Sequence, residues 1–130
     1  MKTLVKGAAA VLALGLAMPI SASAQQMMGH KPEGHAVTVR GTVVDLDCRF
    51  RNGLKGDGHR MCAQVCADKG LPLAILGDDG KLYMPVGGGM PGDPQNGRLK
   101  EFAEQEVVIQ GNAYEAGGAT ALEIESIRKS

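Results

Sequence analysis

The chain has 130 residues, 14 basic against 14 acidic, and no tryptophan. Balanced charge supplies no basic face for phosphate. Phe50, Tyr83, Phe102 and Tyr114 are too few to stack successive bases, which argues against nucleic acid as a partner. The length suits one small domain.

The first residues read as an export signal. Lys2 and Lys6 precede the apolar run Gly7 to Met18, and Pro19 breaks it. Ala22, Ser23 and Ala24 then form a small-residue cleavage site before Gln25. The run falls short of the roughly 20 residues that span a bilayer, and no cysteine follows it to carry a lipid. Residues 1–24 are read as a signal peptide, and the mature chain as periplasmic or secreted and not membrane-embedded. Residues 25–36, "QQMMGHKPEGHA", lack apolar periodicity and read as a flexible tail. Its Met27, Met28, His30 and His35 are read as incidental, with transient copper binding as the alternative.

The domain is expected over residues 37–130. Val37 and Val39 open a first strand. Beyond Gly41 the apolar positions shift to Val44, Leu46 and Cys48, which predicts a bulge or bend at the glycine. Asp45 and Asp47 then fall on the solvated face of that strand. Leu71 to Leu76 is a short buried strand, Gly77 to Gly80 a turn, and Leu82, Met84 and Val86 one face of the next strand. Pro85 places part of it at an edge. A glycine-rich loop over residues 87–97 leads to a short helix capped by Asn96, with Leu99, Phe102 and Ala103 on one face. Two strands follow around Glu115 to Gly118, with Leu122 and Ile124 inward and Glu123 and Glu125 outward. Five strands with a helix between the third and fourth is the order of an OB-like antiparallel barrel. The remaining segment is a helical insertion between strands one and two, a connection that OB-folds commonly use for binding.

That insertion holds all three cysteines, Cys48, Cys62 and Cys66, together with His59. A helix is expected from a cap at Asp57 to Lys69 and Gly70, with Pro72 preventing continuation. Spacings of three and four put His59, Cys62 and Cys66 on one stripe, with Cys48 at the end of the first strand. Three chemistries fit. Three thiolates and one imidazole can hold zinc, or copper as Cu(I), which uses every cysteine and accounts for the odd count. A disulfide from Cys48 to Cys62 or Cys66 suits an oxidising compartment and leaves one thiol over. Thiol redox chemistry is the third, although C-x3-C is not the C-x2-C of thioredoxin-like proteins. No haem, nucleotide or hydrolase motif is present.

The pattern "GTVVDLDC", "HRMCAQVCADKGLP", "DGKLY", "VVIQG" and "IESI" resembles a group of small secreted bacterial proteins with OB-like folds. The resemblance implies that Cys48, His59, Cys62 and Cys66 act as a unit, and it carries no activity with it. A weaker similarity is to exported bacterial OB-fold stress proteins, which lack the cysteines. The expectation is a non-enzymatic metal-binding domain, its metal ligands Cys48, His59, Cys62 and Cys66. The alternative is a disulfide-stapled module that binds a ligand or another envelope protein.

Overall fold

The computed structural model describes residues 32–130; the expected signal peptide (residues 1–24), Met27, Met28 and His30 lie outside the described residues. Five strands close into a barrel. They are β1 (His35–Asp45), β2 (Leu73–Gly77), β3 (Leu82–Val86), β4 (Glu106–Ala116) and β5 (Ala119–Lys129), in ring order β1-β2-β3-β5-β4. A short helix α3 (Asn96–Leu99), prolonged by a 3-10 turn at Lys100–Phe102, connects β3 to β4. The OB-like all-β architecture is thus present, with its helical insertion between β1 and β2. Neighbouring strands run antiparallel except β3 and β5. That exception is forced, because an odd number of strands cannot alternate in direction around a closed ring.

β1 is long because it serves two partners. It pairs with β4 over residues 35–42 and with β2 over residues 41–45. Gly41 stands at the exchange, where a Cβ would run into the Leu76 carbonyl oxygen and lie 2.8 Å from Gly77 Cα. The strands can cross this closely only without a side chain. The expected change of phase at Gly41 does not occur: Val39, Gly41 and Val43 are buried in regular alternation. Val44 and Asp45 are buried as well. Successive strand residues face opposite ways, so both faces of this end of β1 are covered, one by the core and one by the insertion.

The core joins Val39, Val43, Ile75, Leu99, Ile109 and Leu122, with Ala67 of the insertion among them. Truncating a large member to Ala typically costs about 2–5 kcal/mol. β3 faces the other way from the expected one. Tyr83 is buried and Met84 and Val86 are exposed, because the Tyr83 hydroxyl reaches back across the turn to donate to Asp79 Oδ2 at 2.7 Å. On β5, Leu122 and Ile124 point inward as expected.

Candidate metal centre

The first strand stops at Asp45 and does not run on to Cys48. Asp45 folds its side chain over the following turn, where Oδ1 accepts from the N–H groups of Asp47 at 3.0 Å and Cys48 at 3.4 Å. Leu46–Asn52 therefore wind into a helix, α1, which Gly53 ends in the left-handed conformation at φ 67°. A cap of this kind contributes about 1 kcal/mol. It also overturns the solvated-face reading of the two aspartates. Asp47 is exposed, but Asp45 is fully buried, and Cys48 sits on a helix, 9 % exposed.

A 3-10 turn at Asp57–His59 leads into α2 (Arg60–Asp68), which has no side-chain cap, so Asp57 starts the turn without capping the helix. The buried stripe of this segment is His59, Ala63 and Ala67, spaced four apart as one helix face requires. Cys62 and Cys66 flank it, the first exposed and the second half-buried. Asn96 does not cap α3. Its amide nitrogen donates to the carbonyls of Ala67 (3.1 Å) and Leu71 (2.7 Å), and its oxygen accepts from Leu73 N–H at 3.1 Å. One side chain thus pins the end of α2 to the start of β2. Arg60 donates to the Glu101 carbonyl at 2.9 Å and Gln64 to that of Lys100 at 3.3 Å, holding the outer side of α2. Gly56 N–H donates to Glu104 Oε2 at 2.9 Å, which fixes the loop between α1 and α2.

These constraints bring the three sulfurs together. The Sγ atoms of Cys48, Cys62 and Cys66 all lie within 4.8 Å of one another, and all three are free thiols. His59 enters a different grouping. Its ring, a carboxylate oxygen of Asp45 and Cys48 Sγ are likewise within 4.8 Å of one another. Cys48 belongs to both sets. His59 Nε2 stands 3.7 Å from Asp45 Oδ2. Neither atom has a hydrogen bond among the described residues, and both are buried. The protons offered to the carboxylate from the other side are those of thiols, which are weak donors.

The carboxylate sets the chemistry of the thiols. Asp45, first as acceptor for the thiol proton and then with burial and its own charge, pushes Cys66 up to about 12. Burial, followed by the Asp45 charge, raises Cys48 as well. A nucleophilic cysteine needs the reverse, a neighbour that stabilises the thiolate. A cation bound among the sulfurs would remove the disfavoured negative charge, so the same arrangement suits metal ligation.

The chain matches no protein-family model, no curated protein and no solved structure. The site therefore rests on its own geometry. Sequence reasoning named the three cysteines and His59 and missed Asp45. An available signal was local: an aspartate closing a strand pattern, followed eight residues later by Gly53, is the start and stop of a short helix.

Proposed function

We propose that this chain is a metal-binding barrel domain of the bacterial envelope, taking zinc or copper on Cys48, Cys62 and Cys66 and performing no catalysis. The convergence of three free thiols from two separate helices onto one point carries this reading. Sulfurs bound to one ion at about 2.3 Å lie about 3.8 Å apart, so closing a 4.8 Å limit asks for about one ångström of side-chain motion. Cys62, exposed on α2, is free to supply it. Its exposure also favours an ion that exchanges with the surroundings over one sealed inside. The export signal and the resemblance to small secreted OB-like proteins support an envelope location. No helix among the described residues is long and apolar enough to cross a membrane.

The test is the intact mass of protein taken from the periplasm, native and then denatured without reductant. Added mass of zinc or copper, with all three thiols alkylatable after unfolding, is expected. Two missing hydrogens with one reactive thiol and no metal would overturn it. That outcome favours a disulfide-stapled interaction module, for which the exposed Phe50, Met61 and Val65 of the two helices offer a surface.

A further inference from the structure

The trithiol group leaves two buried polar atoms unexplained. Asp45 is fully buried and His59 is 5 % exposed, yet Asp45 Oδ2 and His59 Nε2 face each other at 3.7 Å with no hydrogen bond. Without a hydrogen bond a buried polar atom is destabilising, and nearly all such atoms in proteins find a partner. The gap is too wide for an N–H···O bond, which spans about 2.7–3.2 Å. It is close to the separation of two ligands on one ion, since oxygen and nitrogen at about 2.05 Å from a tetrahedral centre lie about 3.3 Å apart. Cys48 Sγ, a ring nitrogen of His59 and a carboxylate oxygen of Asp45 all lie within 4.8 Å of one another.

Resting on the metal-binding reading above, we propose that the chain holds two divalent cations: an outer one on Cys48, Cys62 and Cys66, and an inner one on Asp45, Cys48 and His59, with the Cys48 thiolate bridging them. Three features agree with this assignment. The inner donor set of one oxygen, one nitrogen and one sulfur is what borderline Zn²⁺ accepts. Oδ1 of Asp45 is committed to the α1 cap, so Oδ2 is the oxygen left for an ion, and the cap holds it in place. Charge also closes. Three thiolates and one carboxylate carry four negative charges, which two divalent cations balance, and a buried site favours neutrality. With a single divalent ion the same groups keep an excess negative charge or retain protons. Loading both ions releases one proton from each of the three thiols to solvent, and nothing is oxidised or reduced.

The ligands run inward in order of burial, from exposed Cys62 through Cys66 and Cys48 to His59 and Asp45. The outer ion is therefore the exchangeable one, and the inner ion the one that a chelator removes last.

The test is native mass spectrometry of the mature chain loaded with Zn²⁺, with circular dichroism to confirm folding. Wild type is expected to carry two ions per chain. Cys62→Ser, His59→Ala and Asp45→Asn should each carry one. Asp45→Asn is the informative variant, since asparagine caps a helix as well as aspartate does and α1 survives. With Co²⁺, a thiolate bridge couples the two ions, so the paramagnetic resonance signal should grow to one equivalent and fall towards two. One ion in wild type that persists in His59→Ala and Asp45→Asn would overturn the inner site and leave the trithiol reading standing. One ion in wild type that is lost in His59→Ala as well as in Cys62→Ser would mean a single mixed site and would also overturn the pair. No ion in any of them removes both readings together.

Discussion

Asp45 and Asp79 begin alike and end differently. Each sits just past or at the end of a strand and turns Oδ1 onto the backbone N–H two residues ahead, Asp47 for one and Lys81 for the other, both at 3.0 Å. These are local aspartate turns of the same design. At Asp79, the exposed one, the second oxygen takes a hydrogen bond from Tyr83 at 2.7 Å. At Asp45, buried where water cannot serve, the second oxygen has none. At Asp79 both oxygens are partnered, even where solvent would have sufficed. An oxygen left idle in the interior makes the fold less stable than full pairing would, a cost that the inner ion proposed above would relieve at Asp45.

The largest test of that contrast is metal itself. Zinc at 100 times its dissociation constant should raise unfolding stability by about 2.7 kcal/mol for each site filled. Asp45→Asn should forfeit the share belonging to the inner ion, as denaturant melts with and without zinc will show. Next comes the thiol. With the carboxylate charge gone, the Cys66 proton is no longer held as far up as about 12. Its alkylation at pH 8 in the metal-free Asp45→Asn protein should be faster by about tenfold or more. An unchanged rate would mean that burial alone holds the proton. Tyr83→Phe probes the other aspartate: stability should fall by about 1 kcal/mol with the zinc response untouched. The smallest effect is in acid. Tyr83, the Lys81 N–H and the Lys81 charge hold Asp79 below the usual carboxylate range. Its contribution is present above about pH 4 and is lost as pH falls through the lowered value. The difference between wild type and Tyr83→Phe should therefore shrink below pH 4.

The barrel was legible where alternation had only one solution. In β5, Leu122 and Ile124 alternate with two glutamates, and only one face can be inward. In β3 every residue from Leu82 to Val86 is apolar or aromatic, so pattern offers two equal phases. The choice falls to a hydrogen bond between Tyr83 and Asp79 that no periodicity records. The site was legible in its cysteines and His59 because helical spacing gathers them. Asp45 was hidden by the same logic that found the strand. The expected change of phase at Gly41 assigned it outward, whereas the unbroken alternation of β1 puts it on the same face as Val39, Gly41 and Val43. α1 itself was hidden because Val44, Leu46 and Cys48 fit a strand until Asp45 caps the turn.

Asn96, which ties α2 to β2 with three hydrogen bonds, is followed in the chain by Gly97. An asparagine before glycine is the one that most readily loses its amide, because the next backbone nitrogen can attack it unhindered. In the folded protein both ends of that amide are engaged, by Ala67, Leu71 and Leu73. Once unfolded, it has no such protection, and each loss replaces a donor facing two carbonyls with a negative charge. The molecule therefore carries a clock that runs faster while it is unfolded, and its reading is the fraction of chains whose second helix no longer docks.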